Sequence, residues 1–267
     1  MNATIATGVA VGARLRERRD TGRKLLVPYV TGGVSADWTA YLAAYAQAGA
    51  DAVEIGLPFS DPMIDGPTVQ EASERALHRG ATVRGILADL REVRVDVPLI
   101  VMTYYHLVAR EGHAQFCAAL ADAGVRGLIV PDLPLEELAE LEQAAATADV
   151  DLILVAAPSG APSRLREIAV RSRGFVYAMT AMVTTGERAE LPAAAGEFAA
   201  RLKAHTDLPV LLGFGISTPE HAAAGARAAD GVVVASALMR RLLDGATPAE
   251  SGAQVRALRA ALDADQD

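Results

Sequence analysis

Two carboxylates stand eleven residues apart in the stretch VEIGLPFSDPMIDGP, Val53 to Pro67. Glu54 sits inside an apolar run with a strand's pattern, between Val53 and Ile55. Alternation along a strand turns Glu54 to the face opposite both neighbours. A carboxylate placed in a core is costly unless it is paired, or protonated through a raised pKa. One reading is a structural glutamate bonded to a neighbouring strand. The other is a general acid/base tuned by partial burial. Asp65 follows on a loop before Gly66, where an aspartate is ordinarily a turn former, and Asp61 before Pro62 has the same turn chemistry. Pairing with Glu54 gives Asp65 a further role, because two carboxylates in different environments can divide proton work between them.

Other residue types suit an anion. GFGIS carries Gly213, Gly215 and Ser217, and ASALM carries Ala235 and Ser236 at what reads as the entry to a helix. Small residues let backbone N–H groups reach a phosphate, and a helix N-terminus adds its dipole. Gly186, further upstream, can supply another amide. Tyr29, Tyr104, Ile129, Tyr177 and Phe214 all fall near the ends of apolar runs. Singly, each such residue is more often core than ligand contact. Together with the phosphate site they suggest a flat aromatic substrate with a phosphorylated tail.

The elements that would position these residues follow from the apolar pattern. LLVPYVTG, DAVEIGLP, PLIVMTYY, GLIVPDLP, DLILVAAP, GFVYAMT, PVLLGFG and GVVVASAL recur along the chain, and segments of helical period such as WTAYLAAYAQAGA separate them. Alternating strand and helix implies parallel strands with crossover helices. Eight such units in 267 residues suggest an α/β protein of the closed (β/α)8 barrel (TIM barrel) type, with a doubly wound open sheet as the alternative. An additional N-terminal helix at residues 8–19 closes the bottom of the barrel in this reading, and a last helix runs from about residue 250 to 263. No low-complexity linker divides the chain, so residues 1–267 read as a single domain. The longest strand-to-helix connections, 58–67 and 181–191, belong at the C-terminal face, where barrels build their active sites.

Composition excludes several classes. The net charge of −8 disfavours nucleic acid and acidic membrane surfaces as partners, and the basic run ARLRERRDTGRK reads as the solvated face of a first helix. With one cysteine, Cys117, an intrachain disulfide is impossible and a cysteine-based metal site is not indicated; Cys117 reads as a small core residue. No signal-like segment and no apolar stretch of membrane-spanning length is present, so a soluble, cytoplasmic protein is expected.

VEIGLPFSDPMIDGP closely resembles the signature of the tryptophan synthase alpha subunit family. PYVTGG, VMTYY, GLIVPDLP, GFVYAMT and GFGIST follow the family's order, and the resemblance runs from about residue 8 to 263. It implies a cofactor-free retro-aldol lyase that splits indole-3-glycerol phosphate into indole and glyceraldehyde 3-phosphate. It implies Glu54 as the acid/base that protonates indole C3 and accepts the side-chain hydroxyl proton. It implies Asp65 as the partner of the indole N–H. Gly186, Gly215, Ala235 and Ser236 fall on phosphate-binding positions of the family, and Tyr29, Tyr104, Tyr177 and Phe214 on positions lining the indole pocket. Thr185 falls on the threonine of the mobile loop after strand six. A beta subunit carrying pyridoxal phosphate, joined in an alpha2beta2 complex, is the implied partner, receiving indole through a tunnel.

The chain departs from the family in places. TAMVTTG, residues 180–186, has Ala181 for the usual arginine and Val183 for a glycine. His106 replaces the asparagine after the two tyrosines, Val34 stands in GGV where Gly-Asp-Pro is usual, and Ala235 replaces a glycine. Retained carboxylates with altered communication elements also fit a stand-alone lyase releasing free indole. A third reading is a catalytically weak activator of a beta subunit.

Overall fold

The computed structural model describes residues 10–179, 194–213 and 215–264. Within them, the strands are β1 (Leu25–Thr31), β2 (Val53–Gly56), β3 (Leu99–Met102), β4 (Val125–Ile129), β5 (Asp151–Ala156), β6 (Val176–Met179), β7 (Val210–Gly213) and β8 (Gly231–Val234). Each lies parallel to the next, and β8 returns to β1 through the register Leu25↔Gly231 to Pro28↔Val234. The sheet is a closed barrel, as the eight apolar runs predict, and not a doubly wound sheet. Their richness in Val, Ile and Leu has a direct cause. A parallel sheet wrapped in helices is buried on both faces, and a strand there has no polar side to present.

Alternation divides the strand residues between two cores. Leu25, Val27, Ala52, Ile100, Ile129, Ile153, Tyr177, Leu211 and Val233 fill the lumen. Leu26, Val53, Ile55, Val101, Leu128, Leu152, Val176, Leu212 and Val232 pack outward against the helices. Cys117 is fully buried in this outer layer, where burial pushes its thiol up to about 11, in keeping with a core residue.

The bottom of the barrel is closed by the helix Val11–Asp20, one residue past the predicted end. Val11 and Leu15 join the lumen core, and the Gly12 N–H donates to Asp151 Oδ2 at 2.8 Å. The final helix, Pro248–Ala264, extends slightly past both predicted ends. It is fixed by a buried ionic contact. Asp51 accepts from the Leu26 N–H at 2.9 Å and faces Arg23 at 2.7 Å and Arg259 at 3.3 Å. Among the described residues, no helix is long and apolar enough to cross a membrane, and no group of three or more His, Cys, Asp and Glu could hold a metal ion.

Asp51 and Arg259 are both nearly fully buried, so removing one leaves the other's charge in the core. Asp51→Ala is expected to lower unfolding free energy by about 3 kcal/mol in chemical denaturation.

Candidate active site

Glu54 is 1% exposed and points into the lumen, opposite Val53 and Ile55. It lies in register with Tyr29 of β1 and Ile100 of β3. Two glycines shape the space around it. A Cβ on Gly56 would fall inside the Tyr29 phenol, and one on Gly213 would fall inside the Tyr177 ring. These absent side chains let two tyrosines lean inward from β1 and from β6, on the far side of the barrel from β2. Among the described residues, Glu54 Oε2 has no hydrogen-bond partner. Burial, reinforced by the negative charge of Asp65, pushes the Glu54 carboxyl up to about 8.

Asp65 reaches the same cavity from the loop after β2. Its backbone N–H donates to Pro62 O at 3.1 Å, and Gln70 Nε2 donates to Asp65 O at 2.8 Å. Gly66 and Pro67 then start the helix Pro67–His78, where a proline's missing N–H costs nothing. The side chain is oriented from below. Tyr104 O–H donates to Asp65 Oδ2 at 3.0 Å and accepts from the Ile64 N–H at 3.1 Å, while Phe59 stacks on the Tyr104 ring with centroids 5.2 Å apart. Burial raises the Asp65 carboxyl to about 6, and the Tyr104 hydrogen bond works against that rise. Near neutral pH the two carboxyls therefore stand in opposite states, Glu54 mostly protonated and Asp65 mostly ionised.

The other end of the cavity suits an anion. Gly215, Ser217, Ala235, Ser236 and Ala237 line it. The helix Ser236–Leu243 begins there without a side-chain cap, and Ser236 Oγ is buried with no hydrogen-bond partner among the described residues. An uncapped helix N-terminus offers N–H donors and the positive end of its dipole. The helix Pro219–Ala228, by contrast, is capped by its own Thr218, whose Oγ1 accepts from the His221 N–H. Ala235 has a φ of −115°, open to any residue, so alanine there brings no backbone strain and only adds a methyl to the wall. Gly33, in the GGV segment, has a φ of +76° and does need glycine.

Of the residues singled out from sequence, Glu54, Asp65, Tyr29, Tyr177, Gly215, Ser217, Ala235 and Ser236 meet around one cavity. Tyr104 stands behind Asp65 and holds it, outside the cavity lining. Ile129 is fully buried in the lumen core and also lies off the lining. Thr185, Gly186 and Phe214 lie outside the described residues, as do Ala181 and Val183. His106 sits beside Phe59, ring centroids 6.0 Å apart. Val69, Met102, Ile216, Val233 and Ala237 complete the lining and were not anticipated. Alternation from Ile100 and from Gly231 points to Met102 and Val233. Nothing local points to Val69, which arrives on the helix after the Asp65 loop. Phe59 was also missed, since its stacking partner is 45 residues away.

The family model described as tryptophan synthase alpha chain matches residues 15–264. The tryptophan synthase alpha chain of Chloroflexus aggregans is 44% identical over 229 residues, covering 84% of this chain and 86% of the relative. That of a Picosynechococcus species is 40% identical over 252 residues, covering 92% and 95%. Among solved structures, a chain of Mycobacterium tuberculosis tryptophan synthase superposes with a TM-score of 0.88 at 37% identity, covering 96% of this chain and 98% of that one. Tryptophan synthase subunit alpha from Legionella pneumophila gives 0.83 at 30% identity, covering 95% and 98%.

The raised Glu54 pKa has a signed consequence for stability. The folded state holds this proton more tightly than the unfolded chain, so Glu54 erodes stability as pH rises from about 4.5 to about 8. Glu54→Gln removes the penalty. The variant is expected to be more stable than the parent by on the order of 3 kcal/mol at pH 7, converging with it near pH 4. Thermal or urea unfolding across that range checks this.

Proposed function

Because the chain belongs to the tryptophan synthase alpha chain family, we propose that it is a carbon–carbon lyase cleaving indole-3-glycerol phosphate into indole and glyceraldehyde 3-phosphate. The observation that carries this reading is a pair of carboxyls in unlike surroundings, Glu54 buried in the lumen and Asp65 hydrogen-bonded by Tyr104, at the aromatic end of a cavity whose other end suits a phosphate.

The phosphate occupies the uncapped start of the helix Ser236–Leu243, with the Ser236 hydroxyl and the Gly215 backbone around it. The indole ring lies between Tyr29 and Tyr177. Protonated Glu54 delivers its proton to indole C3, which places positive charge on the ring. Ionised Asp65 accepts the indole N–H and stabilises that charge. Glu54, now a carboxylate, takes the proton of the hydroxyl on the carbon attached to C3. The C–C bond breaks, its electrons return to the ring, and the aldehyde leaves. Glu54 ends protonated, ready for another cycle. Tyr104 keeps Asp65 aimed at the ring throughout.

The family needs no cofactor of its own, and pyridoxal phosphate belongs to the beta subunit with which the family works. For this chain we propose an alpha2beta2 complex in which indole passes directly to that subunit, and a cytoplasmic setting.

Glu54→Gln is expected to cut kcat by about 10²- to 10⁴-fold with KM changed less than severalfold, since the amide keeps the shape but cannot shuttle a proton. In the parent, kcat/KM should be bell-shaped, falling below about pH 6 as Asp65 gains a proton and above about pH 8 as Glu54 loses one. Steady-state cleavage by the purified chain, alone and with a beta subunit from the same source, tests the reading. Weak turnover strongly raised by the beta subunit is expected. Full turnover alone, unchanged by beta, would mean a free indole producer, and no turnover in either setting would contradict the lyase.

A further inference from the structure

Ser217 is half-buried and lines the cavity beside Gly215 and Ser236. Its Oγ lies 3.0 Å from His221 Nδ1, one helical turn further on. The helix cap is made by Thr218, whose Oγ1 takes the His221 backbone N–H at 3.2 Å. The Ser217 hydroxyl is thus not used for capping, and the imidazole that meets it is fixed at the start of the helix Pro219–Ala228.

We infer that Ser217 and His221 form a hydroxyl–imidazole pair that aims the Ser217 O–H at the substrate's phosphate, with His221 as a positioning residue. The inference rests on the proposed phosphate end of the cavity; it gives the Ser217 hydroxyl a role there and adds His221 behind it. A serine hydroxyl has one hydrogen to give. With an unprotonated Nδ1, that hydrogen points to His221, and only oxygen lone pairs face the anion. With a hydrogen on Nδ1, His221 donates to the Ser217 oxygen, and the hydroxyl hydrogen is released toward the phosphate. Both the imidazolium and the neutral Nδ1–H tautomer do this. A bound phosphate favours those states because it accepts the released hydrogen.

The test combines titration of the full chain with inorganic phosphate and steady-state kinetics on indole-3-glycerol phosphate. Ser217→Ala should weaken phosphate binding and raise KM about 10-fold, with kcat within about twofold, the loss of one hydrogen bond to a charged group. Ser217→Thr should restore both, and circular dichroism of each variant should match the parent. His221→Leu should weaken phosphate binding about threefold, and His221→Gln, which can donate to the Ser217 oxygen, should restore it. The double variant Ser217→Ala/His221→Leu should bind no more weakly than Ser217→Ala alone, since one residue acts through the other. Phosphate binding by Ser217→Ala within about twofold of the parent, or independent addition of the two effects, overturns the pair. Failure of the parent to cleave the substrate overturns the proposed function instead, and the phosphate titration still decides the pair.

Discussion

The protonation of Glu54 is the constraint on which the site depends. Burial favours the neutral form of a carboxyl that is 1% exposed, with one oxygen unpartnered among the described residues, because its ionised form would lose water and gain no cation among those residues. Burial is achieved by barrel closure. Eight strands exclude solvent from the lumen, Val11 and Leu15 close its bottom, and Tyr29 and Tyr177 lean in over the space left by Gly56 and Gly213. The same glutamate on an open sheet edge would titrate near 4.5 and could not serve as an acid at neutral pH.

Asp65 needs the opposite treatment, and its loop provides it. The prolines and Gly66 carry the chain back over the barrel mouth. Tyr104, braced by Phe59 and the Ile64 amide, then supplies the hydrogen bond that favours the ionised form. The charge so retained also raises Glu54 further, which couples the two groups. A division of protons between like groups therefore arises from two different attachments, one on a strand and one on a loop.

Much of this was legible in the sequence because the barrel's periodicities are local. The eight apolar runs mark the strands, and the neighbours of Glu54 set its direction. The pairing of helices between some strands, such as Pro67–His78 with Val83–Glu92, was not read. Tyr104 reads from sequence as part of the apolar wall, yet its hydroxyl serves Asp65, because its partner is set by a loop path that spacing does not encode. Ile129 shares register with Met102, but only Met102 reaches the cavity. Strand tilt puts residues of one register at different heights along a barrel axis. Ala235 departs from the resemblance without strain, since its φ is one that any residue adopts.

The most direct measurement is a pH titration of the Glu54 carboxyl by ¹³C NMR, assigned with Glu54→Gln and repeated in Asp65→Asn. The account predicts a midpoint near 8 in the parent and a lower one in Asp65→Asn, where the neighbouring charge is gone. A midpoint near 4.5 in the parent would mean that Glu54 is ionised at neutral pH, and the division of proton roles between the two carboxyls would fail.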